Sequence, residues 1–374
     1  MNQPFTQQNL YLTVSSPLGD DDLIVQAFHG EDRVSGLFHY QVELISEASD
    51  IDFSKLVGAP MTLNITSGEE SYPLNGVVAR FVQAGTSQRF TTYYAELRPW
   101  LWLTTLVTDS CVFQEKSTPE IIEEIFKGLG YSDYKLTLQG TYPKREFCVQ
   151  YQETCFDFVS RLMEDEGIFY YFEHEEGKHT LIIADAQDVH APRGALTTAP
   201  VTTAQSSHGA DEIITHLALE QQVVSTGYAM TDYNFEQPTT QLGITVGEAG
   251  PKARFEYPGG YIAKGDGEAR IEKRIQALEL PTKRVRGQSF CRGMLSGHTL
   301  EITDHVREDL NAEYVMRWVS HSGNQGRYSN SFEAFPSDVP FSAWSSMSAR
   351  PAASSTSFAS SSPRTWRQAG GKLL

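Results

Sequence analysis

The feature that most constrains this fold is a series of short segments in which apolar and polar residues alternate. In residues 38–45, for example, Phe38, Tyr40 and Val42 share one face. Strict alternation places one side of an extended chain in a core and the other side in solvent. The chain also holds 17 Tyr and 20 Phe, which pack well on pleated sheets. Several such segments separated by turn residues predict a closed or nearly closed antiparallel β-barrel over residues 1–110.

Residues 111–186 carry a different pattern, that of a small α+β layer. A helix start is indicated at Ser117, because Ser caps free amides, Pro119 suits the first turn and Glu120 complements the helix dipole. Two glycines favour a helix end near residue 130. The apolar residues that recur between these signals at helical spacing are Ile121, Ile122, Ile125, Phe126 and Leu129.

A second helix is predicted from Thr154, which can cap it, with Asp157 as a weaker substitute for the Glu of a capping box. Gly167 marks its end. The apolar runs 168–172 and 180–184 then predict a hairpin. The apolar stripe of this helix consists of Phe158, Val159, Leu162 and Met163.

The remaining chain divides into three parts. Residues 187–210 are rich in Ala, Thr, Pro and Ser and predict a connector. The strand pattern returns over residues 211–341, interrupted around residues 245–284 by an inserted segment with a helix near residues 266–280. Residues 342–374 hold ten Ser and little periodic apolar pattern, so they cannot bury enough surface to offset the entropy of ordering. We expect this tail to be disordered.

The charge distribution excludes one class of partner and suggests another. A formal net charge of −17 repels phosphates, so no nucleic-acid partner is expected. Residues 252–292, however, carry ten Lys or Arg and five Asp or Glu. A solvated helix face is the favoured interpretation of this basic stretch. The alternative is a docking patch for an acidic partner surface.

Four cysteines, Cys111, Cys148, Cys155 and Cys291, form no CxxC pair. They predict buried free thiols rather than a zinc site, which needs denser Cys and His spacing. No apolar run is long enough to cross a bilayer, and the N-terminus lacks the basic start and apolar core of a signal peptide. We therefore expect folding in the cytoplasm and, if the chain is exported, another route.

Motifs of common enzyme sites are absent, since the sequence contains no HExxH, GxSxG or Walker A pattern. His298 and His305 lie near Asp304, but one pair lacks the ligand count of a zinc site. Residues 320–323 (SHSG) place Ser beside His, although sequence adjacency does not create triad geometry. Residues 265–267 (GDG) lack the third glycine of a dinucleotide loop and predict a helix start.

Acidic residues cluster at residues 164–166 and again at Glu173, Glu175 and Glu176. Paired glycosidase carboxylates are one hypothesis, but a solvated helix end and hairpin is favoured. The aromatic run 169–172 is expected in the core rather than as a sugar platform. The sequence thus predicts no enzyme, and no catalytic, cofactor-binding or metal-binding residues.

Several segments together resemble the VgrG family, the spike of the bacterial type VI secretion system. The longest are residues 146–154 (EFCVQYQET) and 156–174 (FDFVSRLMEDEGIFYYFEH). The other segments are residues 38–42 (FHYQV), 74–78 (LNGVV), 97–103 (LRPWLWL) with 113–114 (FQ), and 257–261 (YPGGY). All of these segments occur in family order, and the resemblance extends from near the N-terminus to about residue 341.

The resemblance implies an α+β, mostly β fold like the hub of contractile phage tails. Two antiparallel β-barrel hub domains, residues 1–110 and 211–341, would have small α/β domains between them. It also implies a homotrimer whose six barrels match a hexameric tube of Hcp, because a trimer can cap a hexamer when each subunit offers two equivalent surfaces. Type VI baseplate components and effectors are further implied partners, with secretion through the apparatus without a signal peptide.

Family members continue beyond the segment that here is residues 335–341 into an oligonucleotide/oligosaccharide-binding-type domain and a needle. The Ser-rich tail stands in their place here, so we expect a hub that is truncated before the needle. A frameshift is one hypothesis for this truncation. Contact with a target membrane is expected only through a needle, which this sequence lacks. The leading function is a structural spike base that joins tube to tip. Alternatives are a phage tail baseplate hub and a hub-associated cell-wall hydrolase.

Overall fold

The computed structural model describes residues 6–87, 89–202, 212–247, 252–279 and 284–341, and the backbone of Arg367–Gln368. Its first part is an antiparallel sheet of six strands in the spatial order β1-β4-β5-β6-β3-β2. Burial alternates residue by residue along β3 and β6, as the sequence predicts. The six strands are β1 Leu12–Ser15, β2 Ile24–Arg33, β3 His39–Ser46, β4 Pro60–Ser67, β5 Glu70–Thr86 and β6 Thr91–Arg98.

The predicted α+β layer follows and packs against that sheet. Both of its helices start and stop where the sequence indicates. The Ser117 N–H donates to the Glu120 carboxylate over 2.8 Å, and Thr154 Oγ1 accepts from the Asp157 N–H over 3.0 Å. Gly167 ends the second helix with a φ of 71°. The elements are β7 Thr108–Lys116, α1 Thr118–Gly128, β8 Tyr134–Thr137, β9 Arg145–Thr154, α2 Cys155–Glu166, β10 Phe169–Glu175 and β11 Lys178–Ala184.

The C-terminal part contains more strands and one long helix, α3. Strands β14, β15 and β16 form a separate three-stranded sheet beside α3. The elements are β12 Thr198–Pro200, β13 Ile214–Glu220, β14 Gly227–Met230, β15 Ile244–Gly247, β16 Ala253–Glu256, α3 Lys264–Glu279, β17 Arg284–Ser289, β18 Thr299–Thr303, β19 Glu313–Asn324, β20 Arg327–Pro336 and β21 Arg367–Gln368.

The two strand-rich halves are joined by direct backbone pairing. Strand β2 pairs antiparallel with β19 from Ala27↔Asn324 to Arg33↔Trp318. The N-terminal strands therefore continue through β19, β20, β17 and β13, with β18 and β12 branching from β19, into one 12-stranded sheet. The mostly β fold with phage-tail-like architecture is confirmed below, whereas the division into two barrels stays a prediction.

Apolar side chains form one core beneath the N-terminal sheet and the α+β layer together. The ring centroids of Phe38 on β3 and Phe172 on β10 lie 5.0 Å apart in an edge-to-face arrangement, which is favourable between aromatic rings. A second cluster fills the C-terminal half and includes Tyr72 of β5. A further cluster, from Tyr228 to Leu278, belongs to β14, β15 and α3. We call residues 227–247 and 252–279 the insert, because their core is separate.

The apolar run that starts at Trp100 forms a 3₁₀ helix, Trp100–Leu106, which leads from β6 to β7. Residues 342–374, predicted to be disordered, lie outside the described residues except for Arg367–Gln368, which pair parallel with β7. Within the described residues, no helix is long and apolar enough to span a bilayer.

Candidate assembly site

A buried polar junction lies where the two halves meet. Asp32 on β2 accepts a hydrogen bond from His321 on β19 over 2.8 Å, from the Tyr40 hydroxyl over 3.2 Å and from the Ser296 N–H over 2.6 Å. The other ring nitrogen of His321 lies 2.8 Å from the Tyr328 hydroxyl. These contacts tie β2, β3, β19, β20 and the turn before β18 into one network.

Burial alone would raise the pKa of Asp32, but the hydrogen bonds from His321 and Ser296 outweigh it and hold that pKa below its ordinary value. The carboxylate is therefore ionised at neutral pH although its side chain is inside the protein. A buried charge is tolerated only when it is paired and hydrogen-bonded. The junction thus requires both halves to be in register.

Gly30 allows strands β2 and β3 to approach each other closely. It pairs with Tyr40 on one side and with His321 on the other. A Cβ at this position would lie 2.3 Å from the carbonyl oxygen of His39 and 2.6 Å from Cδ1 of Tyr40. A side chain larger than hydrogen would push β3 away from β2.

Two more histidines connect the N-terminal sheet to the α+β layer. His179 Nε2 accepts from the Trp100 N–H over 2.8 Å, so the ring proton resides on Nδ1, which donates to Asn75 Oδ1 over 2.8 Å. Burial lowers the pKa of His179 to about 4. Burial also holds the pKa of His174, beside Asn75, well below its ordinary value. Both rings are neutral structural elements at physiological pH.

A third polar group, formed by half-buried His298 and buried Arg193, sits beside the connector. His298 lies 3.1 Å from the carbonyl of Ala191, and burial lowers its pKa to about 3. Arg193 donates to the carbonyl of Pro73, and its guanidinium lies over the Tyr72 ring, 5.5 Å from the centroid. Residues just after the α+β layer are thereby fixed to β5.

The acidic run at residues 164–166 and the basic stretch of α3 bind each other, and we call this contact the α2–α3 seam. Asp165 Oδ2 lies 3.0 Å from Arg145 and 2.9 Å from Arg270, and Oδ1 lies 3.5 Å from Arg274. Burial would raise the pKa of Asp165, but Arg270 and Arg145 hold it below its ordinary value. Arg270, Lys273 and Arg274 thus face the acidic run rather than solvent. The acidic partner of these three residues of α3 therefore belongs to the same chain. The hairpin residues Glu173, Glu175 and Glu176 are exposed, as the sequence predicts.

Two other surfaces expose grouped large apolar side chains. On β9, Phe147, Val149 and Tyr151 point outward, while the alternate residues Cys148 and Gln150 are buried. We call the exposed trio the β9 face. The second group lies on β16 and the loop after it and consists of Phe255, Tyr257 and Ile262, which we call the insert face.

Residues 320–323 are not arranged as a catalytic site. His321 is hydrogen-bonded to Asp32, which resembles two members of a triad, but its second nitrogen contacts Tyr328 and its side chain is fully buried. A nucleophile and a substrate have no access there. His305 and His298 are both half-buried. His305 contacts the backbone of Arg307, whereas His298 lies against the carbonyl of Ala191.

The other predicted groups are structural as well. Three cysteines are buried and Cys111 is half-buried, all as free thiols. In the described parts of the chain no cluster of three or more His, Cys, Asp or Glu could hold a metal ion. Residues 265–267 lie in the first turn of α3, as predicted. The aromatic run 169–172 is buried.

Asp32 is the residue of the junction that sequence reasoning missed. It stands in the polar run 31–33, which reads as a solvent-exposed strand end. Its partner His321 lies 289 positions away, so no local spacing could indicate the pair. Only the pairing of β2 with β19 shows that the Asp32 carboxylate is buried.

Comparison with known proteins places this arrangement in a class. Residues 31–327 match the family described as phage tail baseplate hub (GPD). The type VI secretion system spike protein VgrG1a of Pseudomonas aeruginosa is 36% identical over 309 residues, which cover 81% of this chain and 48% of that protein. The actin cross-linking toxin VgrG1 of Vibrio cholerae is 28% identical over 85% of this chain and 32% of that protein.

The fold agrees with the same class. An E. coli type VI secretion component, described as structurally similar to the T4 bacteriophage tail proteins gp27 and gp5, superimposes with a TM-score of 0.65 at 20% identity. That alignment covers 87% of this chain and 76% of the other. The family match and the fold together identify a phage tail baseplate hub. The chain belongs to the phage tail baseplate hub family and corresponds to the N-terminal hub region of VgrG spike proteins, about half the length of VgrG1a.

Proposed function

We propose that this chain is the structural hub of a type VI secretion spike. The supporting observation is 36% identity with a VgrG spike protein across 81% of the chain. The mechanism is mechanical: the halves share one hydrogen-bonded sheet and a buried junction, so a load on one half passes to the other through backbone pairing. Such a body suits an adaptor that must transmit thrust without deforming.

The assembly we propose is a homotrimer seated on a hexameric Hcp tube. Three chains with two equivalent strand modules each would present six surfaces, which is the number that a six-fold ring requires. The N-terminal strands and the strands around β19 are the two candidate modules. Their junction at Asp32 and His321 would set the angle between them. Baseplate components and effectors are proposed as further partners, with nucleic acid excluded by charge.

We further propose that the chain folds in the cytoplasm, leaves through the type VI apparatus and performs no catalysis itself. The His321–Asp32 pair is buried and out of reach of a substrate, and the Asp165 carboxylate is already paired with Arg145 and Arg270. The V. cholerae relative named as a toxin matches over 32% of its length. A hub region of this kind is therefore compatible with enzymatic domains elsewhere in a spike.

The experiment that tests this function is capture of the chain by assembled Hcp tube from the same organism. We expect stoichiometric co-sedimentation with tubes and a trimer by sedimentation velocity. An unrelated acidic protein of matched size and net charge is the control for non-specific binding. Failure to co-sediment at tens of micromolar, with the chain folded by circular dichroism, would contradict the proposal.

A further inference from the structure

A reciprocal pair of histidines joins the start of the connector to the turn before β18. His190 Nδ1 lies 2.7 Å from the carbonyl oxygen of Gly297, and His298 Nδ1 lies 3.1 Å from that of Ala191. Each ring thus comes from one segment and bonds to the backbone of the other. The Thr299 N–H also donates to the Ala191 carbonyl, over 3.1 Å. We call the two rings with their carbonyl partners the histidine clasp.

The clasp fixes where the ring protons lie. A carbonyl oxygen can only accept a hydrogen bond, so Nδ1 carries the proton in both rings. In a neutral imidazole the other nitrogen, Nε2, then holds a lone pair. The Nε2 atoms of His190 and His298 are both buried and have no hydrogen-bond partner among the described residues. A proton added to either Nε2 would create a charged donor without an acceptor, which is costly inside a protein.

Aromatic rings of β10 enclose the clasp on the side of the α+β layer. The ring centroid of Tyr171 lies 5.6 Å from that of His190 and 5.8 Å from that of His298. Phe169 stacks on His190 with centroids 5.2 Å apart. Both aromatic residues are buried. This surrounding favours neutral imidazoles over charged ones.

The charged groups that face the clasp act mainly in the same direction. Nη1 of Arg193, on the connector, is also buried and without a hydrogen-bond partner in the described structure. The pKa of His298 is about 3: burial is the largest cause, Arg193 lowers it further, and the Ala191 carbonyl and Asp32 oppose these effects. Burial also lowers the pKa of His190. The clasp therefore holds together when both rings are neutral.

Two groups on β10 complete the surroundings of the clasp. Burial holds the pKa of His174 well below its ordinary value, and Arg193 lowers it further, so this ring is neutral as well. Burial, with a smaller contribution from Glu173, raises the pKa of the Tyr171 hydroxyl. None of these side chains is a hydrogen-bond partner of the two Nε2 atoms. No described carboxylate is thus in place to accept a proton added there.

We propose that the histidine clasp is a pH-sensitive latch, in which protonation of either ring releases connector residues 190–193 from the turn before β18. The Nδ1 bond itself survives protonation. The driving force is the new N–H at Nε2, which must leave its enclosed position to reach water. The turn stays anchored, because the Ser296 N–H donates to Asp32 over 2.6 Å. The connector is therefore the part that moves, and this inference does not depend on the proposed function.

Release should become easier as pH falls. Released rings take up protons near the ordinary histidine pKa of about 6.5, whereas clasped rings stay neutral to lower pH. For His298 alone, with a pKa of about 3 in the clasp, the equilibrium constant for release should rise about 25-fold between pH 7 and pH 5. His190 shifts the equilibrium in the same direction.

The measurement is residue-resolved amide hydrogen exchange, corrected for the intrinsic effect of pH on exchange. The Thr299 and Glu301 N–H groups donate to the connector carbonyls of Ala191 and Thr197, so their protection reports release. We expect protection at both amides to fall at least about 20-fold from pH 7 to pH 5. This exchange should be insensitive to low urea concentrations, as expected of a local opening that exposes little surface.

The decisive variant is His190→Asn combined with His298→Asn. The Asn side-chain amide can donate to the same carbonyls as Nδ1 but cannot be protonated, so the two reporter amides should keep the same protection at pH 7 and pH 5. His29→Asn, which removes an exposed imidazole, is the matched control and should retain the full pH response. A double variant that responds to pH like the unmodified chain would overturn the latch.

Two measurements on the unmodified chain test the inference without any variant. Nitrogen-15 NMR should show the Nδ1–H form for both rings, with no titration above pH 5. An Nε2–H form, or a ring that titrates near its ordinary pKa, would contradict the clasp. Protection at Thr299 and Glu301 that matches the amides of β3 in size and urea dependence would show that the connector opens only when the whole chain unfolds.

Discussion

His321 and Asp32, 289 positions apart in sequence, lie 2.8 Å apart in a site closed to solvent. Their pairing requires β19 to lie beside β2, so it reports directly on whether the two halves are joined. The contact combines a charged acceptor with three donors, which is the situation in which removal of one partner is most costly. It is therefore the most informative place to perturb the fold.

Removal of the charge at Asp32 should strongly destabilise the chain. Asp32→Asn keeps the shape but loses the ionised acceptor, and we expect the free energy of unfolding to fall by about 3 kcal/mol in urea titrations. A double-mutant cycle with His321→Asn should give a coupling energy of about 1–3 kcal/mol. Asp50→Asn, at an exposed site, should change stability by less than about 0.5 kcal/mol. Additive effects at the junction would contradict the assigned contact.

Gly30→Ala should separate strands β2 and β3. The added Cβ would meet backbone of His39 at 2.3 Å, which cannot be relieved by a side-chain rotation. We expect the free energy of unfolding, measured by thermal or chemical denaturation, to fall by about 2–3 kcal/mol, which is the effect of overpacking a core. Gly85→Ala is the control, because a Cβ there meets nothing within 4 Å. Equal stability of the two variants would show that the close approach at Gly30 is absent in solution.

Acid should destabilise the chain through histidines whose folded-state pKa is lowered. The pKa of His179 is about 4 and that of His298 about 3 in the folded state, both below the ordinary value. The unfolded chain therefore takes up protons first as pH falls, so stability is highest above about pH 6.5 and declines below it. Between pH 7 and pH 5 we expect the free energy of unfolding to fall by about 2 kcal/mol for each of these two histidines.

The measurement for that prediction is the midpoint of urea unfolding as a function of pH. His298→Gln removes one titrating group and should flatten the slope between pH 7 and pH 5. His29→Gln, which removes an exposed imidazole, is the control substitution. A midpoint that does not move over this interval would mean that these rings are not buried in the neutral form.

Loss of the α2–α3 seam should loosen the insert without unfolding the rest. Asp165 contacts Arg145, Arg270 and Arg274, whereas the core of the insert is separate. We expect Asp165→Asn to cost about 2 kcal/mol of docking and to raise hydrogen exchange of α3 amides roughly 30-fold. Glu272→Gln, on the exposed side of α3, should leave exchange unchanged. Uniform exchange increases across the whole chain would instead indicate global destabilisation.

Local elements were accessible from the sequence because their signals are local. The helix start at Ser117, the cap at Thr154 and the left-handed end at Gly167 were each predicted from neighbouring residues and are confirmed. The alternation in residues 38–45 identified β3 within one residue. Capping and alternation depend on chemistry within a few positions, so one sequence suffices to read them.

Long-range relationships could not be read in the same way. The contact of Asp32 with His321 depends on strand order, and polar residues at a strand end have the same appearance whether exposed or buried. The acidic run at residues 164–166 and the basic residues of α3 were recognised as charge clusters. Their mutual pairing was missed, because charge alone does not specify a partner. Topology had to come from the resemblance and the structure.

The pairing of β2 with β19 also has a consequence for biosynthesis. Strand β2 ends at Arg33 and β19 begins at Glu313, so one edge of the N-terminal sheet stays open while the ribosome adds the intervening residues. At ordinary elongation speed that interval lasts on the order of half a minute. An open strand edge is a template for wrong pairing between nascent chains. We therefore expect the nascent chain to need chaperones until the β19–β20 hairpin emerges and pairs with the open edge at β2.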